Sequence, residues 1–221
     1  MCKTPIIAIL ISVIFLSCNF SKKEEKSLTD TKSIEYDTET EKDTIIIDSH
    51  YTFDEAITGT KAPKEIIDQL ELIDVQYYST DEKLHQGQIL TNKVLANDLK
   101  EIFKFILKSG FEVEHAIPAV KYNWYDDLSM QANNTYSFCY RNENYSKHAT
   151  GMAIDINPFL NPVRWKEGYD YKLNKPEQAL RDTTINGSIY ESHPVVQEFI
   201  KHGFFWGHNF KTKYDDHHFE K

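Results

Sequence analysis

Two short stretches carry residues whose types and spacing can do chemistry. The first is Ser146-Lys147-His148-Ala149-Thr150-Gly151-Met152-Ala153-Ile154-Asp155. The second is Asp215-Asp216-His217-His218-Phe219-Glu220. Imidazole and carboxylate both bind zinc well. His148 falls at the end of a polar loop, and Asp155 falls on the polar face of an alternating segment, beside the small Ala153. Gly151 permits a tight approach between loop and strand. A third ligand must come from elsewhere, and the His217-His218 pair supplies a candidate. Three protein ligands with an open fourth position make a catalytic rather than a structural zinc site. Spacing alone leaves a second reading open: His148 caps a turn, Asp155 is a hydrogen-bonded strand-end carboxylate, and the terminal His pair is solvated.

The elements that position these residues follow from periodicity. Gly151 to Asn157 alternates, with Met152, Ile154 and Ile156 on one face and Ala153, Asp155 and Asn157 on the other. Pro158 and Pro162 end that strand. Asn92 to Ser109 is the clearest helix, with Val94, Leu95, Leu99, Ile102, Phe103, Ile106 and Leu107 at three- and four-residue steps and Gly110 as a stop. Ala62–Leu72 reads as a short helix, Ile73–Tyr78 and Gly87–Leu90 as strands, and Phe111–Tyr122 as a strand broken near Pro118. Residues 123–146 read as loop. Tyr122, Trp124 and Tyr125 there read first as aromatic packing over the core and second as a groove wall. Pro194–His202 is a helix closed by Gly203, and Phe204–Trp206 and His217–Glu220 are short strands. The fold class expected is α+β, a small antiparallel sheet with two to three helices.

The chain has 221 residues, 34 acidic and 25 basic, for a net charge of −9. That balance argues against nucleic acid as a partner. Three cysteines cannot build a disulfide framework. An apolar run from Ile6 to Leu16 follows Lys3; at 1.5 Å per residue it spans about 16 Å, half a bilayer core, and fits a secretory signal. It ends Phe15-Leu16-Ser17-Cys18, which resembles a bacterial lipobox. Residues 1–18 are thus expected to be a lipoprotein signal peptide with Cys18 the lipidated residue, and the chain to be anchored to a membrane of the bacterial envelope, the outer membrane favoured. Residues 19–60 carry 11 acids and 5 bases and are expected to form a disordered tether, interrupted by Ile45-Ile46-Ile47. The folded domain is expected over residues 61–221, as a monomer, with Cys139 a free buried thiol.

The spaced motifs resemble those of the zinc D-alanyl-D-alanine carboxypeptidase family, which includes VanY- and VanX-like peptidases and L-alanyl-D-glutamate endolysins and shares the hedgehog fold. Ser-x-His-x-x-Gly-x-Ala-x-Asp stands complete at Ser146, His148, Gly151, Ala153 and Asp155. Asp-x-x-His-Phe-Glu stands at Asp215, His218, Phe219 and Glu220. Between them, Gly203-Phe204-Phe205-Trp206-Gly207 resembles the Gly-Phe-x-Trp-Gly stretch, and Phe138-Cys139-Tyr140-Arg141 precedes the first ligand.

The resemblance implies that His148, Asp155 and His218 bind Zn2+, that Asp215 is the general base, and that Arg141 stabilises the transition state. It implies Ser146 and Trp206 as substrate-binding residues, and peptidoglycan stem peptides, cut at a bond involving a D-amino acid, as substrate. Physical chemistry agrees: zinc lowers the pKa of a bound water toward 7, a nearby carboxylate accepts its proton, and a guanidinium suits a developing oxyanion. The chain departs from the family pattern at His208-Asn209, and His208 there is a candidate to approach the metal. Asp216 competes with Asp215 as base. Alternation along a strand allows only one of His217 and His218 to face the metal, and the motif favours His218. The alternative reading is a non-catalytic zinc module that binds peptidoglycan or an envelope partner; such a module has no chemical need for Asp215 or Arg141.

Overall fold

The computed structural model describes residues 44–141, 146–169 and 175–221. In chain order the elements are β1 (Ile46–Ile47), α1 (Phe53–Ala56), α2 (Lys64–Ile67), β2 (Leu70–Tyr78), β3 (Leu84–Asn92), α3 (Lys93–Ser109), β4 (His115–Ala116), α4 (Asp126–Gln131), β5 (Asn134–Thr135), β6 (Ala153–Asp155), β7 (Val163–Trp165), α5 (Pro194–Lys201), β8 (Phe205–Trp206), β9 (Lys213–Asp215) and β10 (His218–Glu220). This is a mixed α+β architecture of small sheets, as expected. Five α-helices occur among the described residues, but three of them run only four to six residues. None is long and apolar enough to cross a membrane.

The hairpin β2–β3 pairs nine residues antiparallel, from Leu70↔Asn92 to Tyr78↔Leu84. Its inner face carries Ile73, Val75, Tyr77 and Ile89, all buried. Helix α3 lays Leu95, Leu99, Ile102, Phe103 and Ile106 in the same core, the stripe expected at three- and four-residue steps. Val94, one of the periodic set, is instead turned to solvent. The helix starts where Asn92 Oδ1 accepts from Val94 N at 3.0 Å and stops at Gly110, whose φ of 71° suits a left-handed cap.

The second sheet has the order β6–β10–β8, antiparallel throughout. Ile154 faces Phe219, and Phe219 faces Trp206. This apolar row meets α5 through Phe199, whose ring stacks on Phe219 at 4.0 Å. Period-2 alternation sends Asp155 and His218 to the opposite face.

The two sheets are joined at Gly151. Its carbonyl accepts from Asn92 N and Thr91 Oγ1, each at 3.1 Å, and Asn92 Nδ2 donates to Thr150 O at 3.1 Å. A Cβ on Gly151 would sit 2.7 Å from Asn92 N, and φ is +69°. Only glycine meets both demands.

Several expectations are corrected. The folded unit begins upstream of Lys61. Strand β1 pairs parallel with β3, Tyr51 N donates to Gln88 Oε1 at 2.7 Å, and Ala56 is fully buried. Helix α1 opens with a Thr52–Glu55 capping box, so acids that read as tether are first-turn helix residues. The expected disordered tether over 19–60 therefore fails for residues 44–60. The signal segment 1–18, Cys18 and residues 19–43 lie outside the described residues. The Ala62–Leu72 helix shrinks to α2, because the alternating burial that begins at Leu70 belongs to β2. Within 111–122 only His115–Ala116 form a strand; Pro118 lacks an N–H, and residues 119–122 form a 3-10 turn. The loop expected over 123–146 contains α4 and β5. Cys139 is free and buried, and burial pushes its thiol up to about 12, which keeps it out of nucleophilic chemistry.

Candidate metal centre and catalytic pocket

His148 sits on a 3-10 turn, residues 147–150, closed by Gly151. Its Nδ1–H donates to Ser137 O at 2.7 Å, which leaves the Nε2 lone pair free for a metal. Tyr136 stacks on the ring at 5.1 Å. Asp155 ends β6 and is locked to Tyr136 by backbone bonds of 2.9 and 3.2 Å. His218 opens β10 directly opposite Asp155.

The three side chains converge. His148 Nε2 lies 3.1 Å from Asp155 Oδ1 and 3.1 Å from His218 Nδ1, and His218 Nδ1 lies 2.9 Å from Asp155 Oδ1. All three residues are buried, and they form the group among the described residues that can hold a metal ion. Zinc bonds of about 2.0–2.2 Å in a tetrahedral arrangement put neighbouring ligand atoms about 3.3–3.5 Å apart. The observed triangle is within a few tenths of an ångström of that, and the donor set, two imidazoles and a carboxylate, suits zinc.

The supporting contacts also fit a metal. His218 Nε2 faces Glu220 Oε2 at 3.0 Å, a carboxylate–histidine–metal relay. Burial opposes ionisation of Asp155, but His148 and His217 outweigh it and hold the carboxyl well below its usual range. For His218 burial disfavours the charged ring, yet the bonds to Asp155 and Glu220 win, and its pKa is pushed up to about 10 without a metal. A cation is what this site favours.

Asp215 ends β9, and residues 216 and 217 separate it from His218 at the start of β10. Its Oδ2 accepts from Lys213 Nζ at 2.6 Å. Its Oδ1 is buried, lies 3.0 Å from His217 Nε2, and has no aligned hydrogen bond. Burial disfavours the carboxylate, but His217, His218 and Lys213 together lower its pKa, so it is ionised at neutral pH. These groups line a pocket of about 550 Å³ together with Arg141, Ser146, Lys147 and Glu220. Arg141 donates from Nη1 to Asp126 Oδ2 at 2.7 Å, and its Nε is buried without a partner. Ser146 makes no capping bond and faces the pocket.

Two expectations, on Trp206 and His208, change here. Of His217 and His218 only His218 belongs to the metal-binding group, as the motif implied, although both line the pocket. Asp216 and His217 form the two-residue turn between β9 and β10, where strand alternation does not apply. His217 Nδ1–H donates to Asn161 O at 2.7 Å, and Nε2 points at Asp215. Trp206, expected to bind substrate, is 3% exposed in the core, with its Nε1–H donating to Asp216 O at 2.9 Å. It is absent from the pocket wall because the pairing with Phe219 puts it on the apolar face. His208 does not approach the metal site: it stacks on Trp206 at 4.3 Å, with Nδ1 2.6 Å from Asp216 Oδ1.

Asp216 is fully buried and paired with Arg164 and Arg181, each at 3.0 Å. It anchors the turn between β9 and β10, and of the two neighbouring aspartates only Asp215 lines the pocket. Sequence reasoning missed Lys213, His217 and the role of Glu220. Lys213 had a signal, since residues i and i+2 of a strand share a face.

Residues 140–221 match the model of the D-alanyl-D-alanine carboxypeptidase family. Over these residues, rather less than half of the chain, the sequence is similar to that family. The matched span contains Arg141, all three candidate metal ligands and Asp215. Neither a curated protein nor a solved structure matches the chain.

Proposed function

We propose that this chain is a zinc peptidase that hydrolyses a bond to a D-amino acid in peptidoglycan stem peptides. The observation that carries the reading is the convergence of His148 Nε2, Asp155 Oδ1 and His218 Nδ1 within about 3 Å, with the Asp215 carboxylate in the same pocket.

His148, Asp155 and His218 would hold the ion. Zinc, when bound, supplies Lewis acidity that makes water a competent nucleophile near neutral pH. Asp215 Oδ1, buried and without a hydrogen bond, accepts the proton that water gives up and later delivers it to the leaving amine. His217 has already spent its Nδ1–H on Asn161 O, so its Nε2 lone pair can share that proton. Lys213 holds the other carboxylate oxygen and keeps Oδ1 aimed into the pocket. Arg141 brings permanent positive charge to the wall, where oxyanion charge develops.

The test is the zinc-loaded protein incubated with defined muropeptides, the products read by mass. Loss of one D-alanine, or a cut at another D-amino acid within the stem, supports the reading. No product from folded, zinc-loaded protein overturns it.

We further propose that Cys18 carries lipid and holds the domain at the bacterial envelope, where its substrate is. The Cys18→Ser chain should lose label from radioactive fatty acid and leave the membrane fraction; unchanged partition of that variant sinks the anchor.

A further inference from the structure

Arg141 lines a second pocket as well as the one at the metal site. This second pocket, of about 670 Å³, is walled by Lys61, Asn123, Trp124, Tyr125 and Tyr140. The chemistry derived above uses none of those five residues.

The backbone is shaped to present them. Asn123 and Trp124 are consecutive residues with φ of +53° and +64°. Asn tolerates the left-handed region, but a bulky aromatic there is rare and persists only where its surroundings enforce it. Trp124 is enforced: its Nε1–H donates to Thr58 O at 2.9 Å, and its ring meets Phe138 edge-on at 5.7 Å. The consequence is that Tyr125 stands out into solvent, 65% exposed. Lys61 is exposed and has no anionic partner among the described residues. Arg141 contributes a buried Nε with no partner. The pocket thus offers aromatic faces, the Lys61 ammonium and one edge of Arg141, the residue it shares with the catalytic pocket.

We propose that it receives the remainder of the peptide substrate, a segment that bears free carboxylates. The inference rests on the peptidase reading above and deepens it. An extended dipeptide spans only about 7 Å, so residues beyond the first two are needed to reach across Arg141. A neutral sugar would use the aromatic faces and leave the Lys61 ammonium idle. The chain therefore favours long stem peptides over the free dipeptide, and recognises their side carboxylates through Lys61.

The full chain, loaded with zinc, is assayed on three substrates: D-alanyl-D-alanine, a stem pentapeptide with free side carboxylates, and the same pentapeptide with those carboxylates amidated. The expected kcat/KM is highest for the free-carboxylate pentapeptide and about tenfold lower on amidation, as for loss of one charge-assisted contact. Lys61→Gln should abolish the discrimination between the two pentapeptides. Tyr125→Ala should lower kcat/KM on the pentapeptide about tenfold, through KM. Both positions are exposed, and melting curves check that the variants fold. Cleavage of all three substrates at equal kcat/KM leaves the peptidase reading standing and overturns this inference. So does wild-type discrimination in Lys61→Gln. A rate gain from an attached disaccharide that depends on Tyr125, without any effect of amidation, assigns the pocket to glycan and also overturns it. No cleavage of any substrate defeats the peptidase reading itself, and the inference with it.

Discussion

His218 and Asp155 stand directly opposite one another in the β10–β6 pair, and this pairing brings Nδ1 to 2.9 Å from Oδ1. A slip of one residue would turn either side chain into the row now held by Ile154 and Phe219. The apolar packing that fixes the strands therefore also fixes the ligand geometry. The full-length protein should bind one zinc ion, and His218→Ala or Asp155→Ala should bind none after dialysis against zinc-free buffer. Metal analysis by mass spectrometry reads this; wild-type zinc content in either variant excludes the assigned site.

Glu220 holds His218 from behind at 3.0 Å. Removing such a partner typically costs about 10–100-fold in metal affinity. Glu220→Gln, which keeps the shape and loses the charge, should fall near the lower end of that range. Competition with a chelator of known affinity measures it, and an unchanged dissociation constant would show that Glu220 does not tune the ligand.

Asp215 touches none of the three ligands in the hydrogen-bond set that joins them. Asp215→Asn should keep zinc and lose roughly 10²–10⁴-fold in kcat, the range of general acid–base catalysis. A variant that retains zinc and at least a third of the activity would move the base elsewhere.

Asp98 joins α3 to the end of α5 and to Lys221. Its carboxylate accepts from Lys221 Nζ at 2.6 Å and lies 3.1 Å from His202 Nδ1. Burial opposes ionisation, but the hydrogen bonds from Lys221 and His202 and the Lys221 charge outweigh it and lower the pKa from 3.8. A depressed folded-state pKa contributes stability that is present above the unfolded value and lost as pH falls through the folded value. Asp98→Asn should therefore lower stability at pH 7 by roughly 0.2–1 kcal/mol, because the pair is partly solvated. The gap to wild type should close as pH drops below about 4. Thermal melts at pH 7 and pH 3 test the sign; a gap that grows in acid refutes the account.

Gly151 has no room for a Cβ and adopts φ +69°. Gly151→Ala should destabilise the fold by roughly 1–3 kcal/mol and weaken zinc binding, because His148 lies on the same turn. Urea titration measures the first, and a midpoint equal to wild type contradicts it.

The convergence of His148, Asp155 and His218 was legible because all three stand in spaced motifs along the chain. Helix α3 was legible because its apolar stripe, Asn92 cap and Gly110 stop all agree. His217 was not, because alternation governs strands and residues 216–217 are a turn. Trp206 was misplaced because a two-residue strand shows no period to assign its face. The upstream boundary was missed because counting acids ignores where they fall: Glu55 closes a capping box and Asp48 contacts His85 at 2.9 Å. Helix α4, six residues long, is too short to show an apolar stripe.

The ligand triangle draws residues 148, 155 and 218 together, and it buries a carboxylate and two imidazoles. An ion that binds only the folded chain stabilises it by mass action, about 2.7 kcal/mol at a hundredfold excess over the dissociation constant. On the zinc reading proposed above, the supply of the ion in the surroundings would set how often this domain opens. A metal-starved population would then be cleared faster by proteases, and abundance as well as turnover would follow the availability of the ion.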